Sequence, residues 1–208
     1  MLRAGIDIGT NTLILLIAEV GKTGIIERVL HDETRVVRLG QGVDRTKKFS
    51  PEAMERGRLA FSRFREVLDN FPSISVNAAA TSGSRDAENS RTYFDEMQKI
   101  LGHPIRVISG DEEARVSFEG ALSDRADHDS YAVIDIGGGS TEVIARGPEG
   151  GLLRRSFDLG CVRLSERHLH GDPARPEEVR ELREKVRGEL AAAATFLDQF
   201  AGKKWLGV

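Results

Sequence analysis

A single cysteine, Cys161, stands in the 208 residues, so no disulfide can form within the chain. That usage fits a reducing compartment. Long apolar runs are missing too. The longest, Leu13 to Ala18, is a fraction of the roughly 20 residues a membrane-spanning helix needs. A secretory leader pattern is absent, because Ile6-Asp7-Ile8 puts a carboxylate where the apolar centre of a leader would lie. An excess of either charge is lacking: 30 basic residues stand against 33 acidic ones, for a formal net charge of −3. Bulk charge therefore selects neither nucleic acid nor an anionic membrane, and a polyanion would have to meet a local basic patch or backbone amides. The five histidines show no ligand spacing. His168 and His170, two apart near a predicted helix end, do not share a face, so no zinc site is assigned. A soluble, cytoplasmic protein with no nucleic-acid or membrane partner is expected.

What is present is enough apolar sequence for real cores, 39% of residues, beside 30% charged residues. Leu2 to Ile8, Thr12 to Val20 and Ile25 to Leu39 read as an antiparallel three-strand opening, punctuated at Gly9 and at Gly21 to Gly24. Ser50-Pro51 starts a helix as N-cap and first helical residue. Phe61, Phe64, Leu68 and Phe71 give it one apolar face. A strand at Ser73 to Ala80, a turn at Ser82-Gly83-Ser84, a helix around Arg91 to Leu101, a strand at Ile105 to Ile108 and a helix from Gly110 to about Leu122 follow. The polar stretch Ser123 to Ser130 reads as an inter-domain crossing. Strands are expected again at Ala132 to Ile136, Glu142 to Ala145 and Leu152 to Phe157, the last two joined by a hairpin turn at 147–151. Helices from Cys161 to about Leu169 and from Pro176 come next, the latter burying Val179, Leu182, Val186, Leu190, Ala193 and Phe200. Trp205 to Val208 reads as the start of another strand.

The most informative feature is a near-duplicate. Ile6-Asp7-Ile8-Gly9-Thr10-Asn11-Thr12 aligns with Ile134-Asp135-Ile136-Gly137-Gly138-Gly139-Ser140 at a constant offset of 128 residues. Each copy is an apolar strand, a carboxylate, a glycine-bearing turn with a hydroxyl, and a returning strand. Two similar domains facing each other across a cleft are expected. Glycines let backbone N–H groups point into a concavity, and clustered N–H groups form an anion site. The hydroxyls of Thr10, Thr12, Ser140 and Thr141 add donors for phosphate oxygens. Asp7 and Asp135 would repel phosphate unless a cation stands between, and Mg²⁺ held by one or two carboxylates, phosphate oxygens and water meets that need. The plainer alternative is a pair of tight hairpins whose glycines supply turn geometry. The paired aspartates, which turn chemistry does not require, favour phosphate.

Five segments carry a family resemblance: Asp7 to Thr12, Ala80-Thr81-Ser82-Gly83-Ser84-Arg85-Asp86-Ala87-Glu88-Asn89, Ile108-Ser109-Gly110-Asp111-Glu112-Glu113-Ala114, Asp135 to Glu142, and Leu159-Gly160-Cys161-Val162-Arg163-Leu164. In this order and spacing the chain resembles the exopolyphosphatase/guanosine pentaphosphate phosphohydrolase (Ppx/GppA) family of the actin/sugar-kinase/Hsp70 superfamily. The resemblance implies an α/β fold of two ribonuclease-H-like (actin-like ATPase) domains, with mixed sheets flanked by helices. Expected domains are residues 1–124 and 125–208, the second incomplete, since relatives continue past a strand like Trp205 to Val208 into a further glycine-rich turn and more helices. It implies release of terminal phosphate from polyphosphate by metal-assisted attack of water. Guanosine pentaphosphate hydrolysis, or phosphate binding without turnover, is the alternative. Mg²⁺ is the expected metal, and a homodimer is left open.

Glu113 falls on the family's catalytic carboxylate and Arg85 on its active-site arginine. Gly9, Thr10, Asn11 and Thr12 fall on the first phosphate loop; Gly137, Gly138, Gly139, Ser140 and Thr141 fall on the second. Asp7, Asp135 and Glu142 are the metal candidates. Each has a plainer alternative. Asp111, Glu112 and Glu113 are acids in a first helical turn, favoured there by the macrodipole. Arg85 could pair with Asp86 or Glu88 at the surface. Glu142 could be an ordinary exposed strand residue, and Arg163 could touch a polyanion or simply cap a helix. Cys161 reads as a packed thiol, with no basic cluster near it in sequence to activate it. Arg154, Arg155, Arg163 and Arg167 could add to a polyanion path or form a solvated basic face.

Overall fold

The computed structural model describes residues 1–147 and 149–208; Pro148, in the hairpin turn expected at 147–151, lies outside the described residues. The chain divides into two compact units, Met1–Ser109 and Gly110–Val208. The first contains, in order, β1 (Leu2–Ile8), β2 (Thr12–Val20), β3 (Ile26–Val36), α1 (Val43–Thr46), α2 (Pro51–Leu68), β4 (Ser75–Ala80), α3 (Ser82–Asp86), α4 (Ser90–Leu101) and β5 (Ile105–Val107). The second contains α5 (Gly110–Ala121), β6 (Tyr131–Ile136), β7 (Thr141–Arg146), β8 (Leu152–Phe157), α6 (Cys161–His168), α7 (Pro176–Ala192), α8 (Ala194–Leu197) and β9 (Lys204–Gly207). Single turns of 3₁₀ helix stand at His128–Ser130 and Asp198–Phe200.

In the first unit the sheet order is β3-β2-β1-β4-β5. β1 pairs antiparallel with β2 and parallel with β4. Strict alternation along β1 sends Ala4, Ile6 and Ile8 inward, with Leu13, Leu15 and Ile17 beside them on β2. The apolar faces of α2 and α4, led by Phe61, Phe64, Phe94 and Leu101, close over that side. α2 starts where the sequence reading puts it: the Ser50 side chain accepts from the Ala53 amide at 3.2 Å, and Pro51 occupies the first helical position.

In the second unit the order is β8-β7-β6-β9, again with an antiparallel hairpin and a parallel neighbour for the first strand. The sheet is covered on both faces. Ala132, Val143, Ala145 and Phe157 meet Leu164, Ala193 and Phe200 on one side. Val133 and Ile144 meet Ala114, Phe118 and Leu122 of α5 and the residue after it on the other. α5 therefore packs in the second unit, and the division falls at Ser109/Gly110 rather than after Asp124 as expected. The polar stretch 123–130 begins as a tight turn, with Ser123 and Arg125 amides donating to Gly120 and Leu122 carbonyls.

The duplicate noticed in sequence extends to a hydrogen bond. The Gly9 amide donates to the Thr12 carbonyl at 2.9 Å, and the Gly137 amide to the Ser140 carbonyl at 3.0 Å. Two mixed sheets of matching strand order, flanked by helices, are the architecture of the actin-like ATPase fold.

Candidate active site

In the first unit the turn between β1 and β2 is held from behind. Its Thr10 carbonyl accepts from the Gly40 amide at 2.7 Å, and its Asn11 carbonyl accepts from the Val37 and Arg38 amides at 3.0 and 2.8 Å. The Gly83 amide donates to Thr10 Oγ1 at 3.1 Å. A Cβ on Gly83 would stand 2.9 Å from that oxygen, so the close approach requires glycine there. Two segments singled out in sequence, the first glycine turn and Ser82-Gly83-Ser84-Arg85, are thus in contact. The amides of Thr10 and Asn11 have no backbone partner among the described residues, and the Thr10 hydroxyl keeps its proton for an outside acceptor. Arg85 is exposed and its Nη1 donates to the Ile108 carbonyl at 3.0 Å. Asp7 lies on the sheet face opposite to the α2/α4 core, in register with Ile14.

The second turn is held by a whole helix. Cys161 and Val162 amides donate to the Gly137 and Gly138 carbonyls at 3.0 and 2.9 Å, and the Arg163 amide to Gly138 at 3.1 Å. Arg163 Nε donates to the Gly139 carbonyl at 2.7 Å. Three successive carbonyls are therefore turned toward α6. The amides of Gly138, Gly139 and Ser140 have no backbone partner among the described residues. Amides left over in a glycine-rich turn are the donors an anion site uses.

Several sequence expectations change here. Arg163 is mostly buried and buttresses the loop. Thr141 is buried and its hydroxyl proton goes to the Leu159 carbonyl at 3.0 Å, so it braces the turn and has no donor left for phosphate. Glu142 is not an ordinary exposed strand residue but is buried. Cys161, expected to be packed, is exposed.

Asp135 and Glu142 stand directly opposite each other on β6 and β7. Directly opposed residues of an antiparallel pair share a face, and like charges there are destabilising unless compensated. Ser117 Oγ donates to Asp135 Oδ2 at 2.9 Å, and Ser156 Oγ donates to Glu142 Oε1 at 2.6 Å. Burial raises the Asp135 carboxyl above its ordinary range, and the Ser117 hydrogen bond offsets part of that rise. The first unit has Ile14 where the second has Glu142, so the carboxylate pair exists once. Among the described residues no cluster of three or more His, Cys, Asp or Glu could hold a metal. An all-oxygen donor set of two carboxylates nonetheless fits Mg²⁺, which commonly takes one or two protein carboxylates and completes its shell with water and phosphate.

Glu113 is carried by the same helix as Ser117. It is partly buried and stands one turn before Ser117, beside the stripe that Ala114, Phe118 and Leu122 form. The Phe118 ring meets His128, just before β6 begins, and Ser117 reaches Asp135 near its end, so the helix runs antiparallel to β6. Glu113 lies one further turn, about 5.4 Å, along α5 toward the end of β6 that leads into the glycine turn. Asp111, in the same first turn, pairs with Arg154 of β8. Ser117 and Ser156 were invisible to the sequence reading, because their partners lie on other strands or helices.

A family model described as the Ppx/GppA phosphatase family matches residues 16–207. The chain belongs to the Ppx/GppA phosphatase family. It is 41% identical over 214 residues to a protein named exopolyphosphatase 2 from Mycobacterium tuberculosis, covering 99% of this chain and 66% of that protein. It is 36% identical over 173 residues to a guanosine-5'-triphosphate,3'-diphosphate pyrophosphatase of Pseudoalteromonas atlantica, covering 82% of this chain and 34% of that protein. A crystal structure of an exopolyphosphatase-like protein superposes with a TM-score of 0.88 at 38% identity, over 99% of this chain and 65% of that one. This Ppx/GppA chain thus spans just under two thirds of the exopolyphosphatase relatives' length and about a third of the pyrophosphatase's. Among the described residues no helix is long and apolar enough to cross a membrane.

Proposed function

We propose that this protein is a phosphoanhydride hydrolase of exopolyphosphatase type, releasing terminal phosphate from polyphosphate. The observation that carries the reading is the edge of the second unit. There the amides of Gly138, Gly139 and Ser140, without backbone partners among the described residues, follow Asp135 and precede Glu142 in the chain, and α5, which bears Glu113, packs on the sheet face that carries this pair. The amides and the Ser140 hydroxyl would receive phosphate oxygens. Thr10, Asn11 and Thr12 are the corresponding set of the first unit, the amides of Gly9 and Gly137 being taken up inside their own turns, with Arg85 as a planar donor for further oxygens and Asp7 as a further metal candidate. Asp135 and Glu142 would hold Mg²⁺, which supplies neutralisation of phosphate charge when bound. Glu113 orients a water and takes its proton as the water oxygen bonds to the terminal phosphorus. The bond from that phosphorus to the bridging oxygen breaks, and the shortened chain leaves with its electron pair.

Guanosine pentaphosphate is the second substrate, favoured by the likeness to the Pseudoalteromonas pyrophosphatase. It would need a base-binding pocket in addition to phosphate loops. Phosphate release from each substrate, with and without Mg²⁺, separates the two. Glu113→Gln is expected to lower kcat by about 10²- to 10⁴-fold with the melting temperature nearly unchanged. Full turnover by that variant would remove Glu113 from the role of base.

A further inference from the structure

The apolar stripe of α5 is interrupted at one position. Ala114, Phe118 and, just past the helix, Leu122 pack on Val133 and Ile144, and Ser117 sits among them. The inward face of β6 is interrupted once as well, by Asp135 after Val133. The two interruptions meet: Ser117 Oγ donates to Asp135 Oδ2. A serine inside a helix ordinarily points to solvent or bonds the carbonyl four residues back. Here the hydroxyl instead spends its proton on a carboxylate of another element, in a half-buried setting where the bond counts for more than in water. Across the ladder Ser156, in register with Glu142, does the same for that carboxylate. The row Ser117, Asp135, Glu142, Ser156 is therefore two acids with one neutral donor at each end.

We infer that Ser117 and Ser156 are positioning residues for the carboxylate pair. Each hydroxyl fixes the rotamer of its acid by holding one oxygen, and so presents the remaining lone pairs toward the glycine-turn end of the sheet, where a divalent cation would be shared. Ser117 has a second consequence: it pins α5 along β6 one turn from Glu113, so the same bond sets the height of that acid above the turn. This rests on the metal-assisted reading proposed above and goes further by assigning what orients the ligands. Neutral donors suit the task. A Lys or Arg at either position would compete with the cation, whereas a hydroxyl stabilises the carboxylate without cancelling its charge.

The test is direct Mn²⁺ binding to the full 208-residue chain, followed by electron paramagnetic resonance of the free ion, without substrate. Ser117→Ala and Ser156→Ala are each expected to weaken Mn²⁺ affinity by about 10- to 100-fold. Ser117→Thr, which keeps the hydroxyl, is expected to restore affinity to within a few-fold of the parent. The melting temperature without metal is read for each variant, since a purely structural serine would lower it and leave affinity alone. Parental affinity in Ser117→Ala would overturn the inference while leaving the carboxylate site intact. Absence of Mn²⁺ uptake by the parent chain itself would remove the metal reading and this inference with it.

Discussion

Gly160 shows how one residue can govern the site without touching a ligand. Its backbone, φ −72° and ψ 146°, suits any amino acid. Space is what selects glycine: a Cβ there would lie 2.2 Å from the Gly139 carbonyl carbon and 2.3 Å from the Gly138 oxygen. Both neighbours are backbone, so neither can swing aside. Gly160→Ala must therefore separate α6 from the turn it holds, and the three turned-in carbonyls lose their donors together. We expect kcat/KM to fall by about 10²-fold, as for a displacement on the order of 1 Å at a reacting centre, with a loss of about 1–3 kcal/mol from overpacking. Kinetics beside denaturant melts check this; undiminished kcat/KM would mean the turn need not be fixed by α6. In sequence, the Leu159 to Leu164 segment is visible as a motif, but its purpose is not. The same is true of Thr141, whose hydroxyl looks like a phosphate donor until its acceptor, the Leu159 carbonyl, is seen.

At the scale of elements, periodicity read β1 and α2 well, because each has one solvent side and one buried side. It failed where partners are not periodic. α3 is only five residues long and contains Gly83, so Ser82-Gly83-Ser84 reads as a turn. α7 carries apolar residues at helical spacing, yet Leu190 is exposed, and the helix breaks before Ala193. Its most buried residue is instead an acid, Glu178. That carboxylate accepts from the Arg175 guanidinium at 2.6 Å and from the Arg175, Gly171 and His170 amides, closing the helix start over the preceding loop. The Arg175 guanidinium first, then the amides, pull its pKa down to about 2. Since the folded value lies below the unfolded one, near ~4.3, its contribution is present above the unfolded value and lost as pH falls toward the folded one. Melting temperatures of the parent and Glu178→Gln should converge between about pH 4.5 and 2, the parent being the more stable above that window. A difference independent of pH would assign the stabilisation to packing rather than to charge.

At the scale of the molecule, the repeat was legible because a glycine turn flanked by apolar strands is a local pattern, and it held down to the matched Gly9 and Gly137 hydrogen bonds. The boundary was not legible. α5 follows β5 directly, and the polar residues after it look like a linker, but its apolar stripe finds partners only on β6 and β7. Cutting the chain at the two candidate boundaries separates these readings. Residues 110–208 keep Ala114, Phe118 and Leu122 over Val133 and Ile144, whereas residues 125–208 lose all three. Uncovering that face costs roughly 3–6 kcal/mol at about 1.5–3 kcal/mol per large side chain, comparable with the 5–15 kcal/mol that holds a whole domain. The longer piece is expected to give cooperative melting by circular dichroism. The shorter one is expected to bind a hydrophobic dye and melt without a transition. If residues 125–208 melt as cooperatively as the longer piece, α5 is dispensable to the second unit, and the support it gives Glu113 through the Ser117–Asp135 bond loses its structural basis.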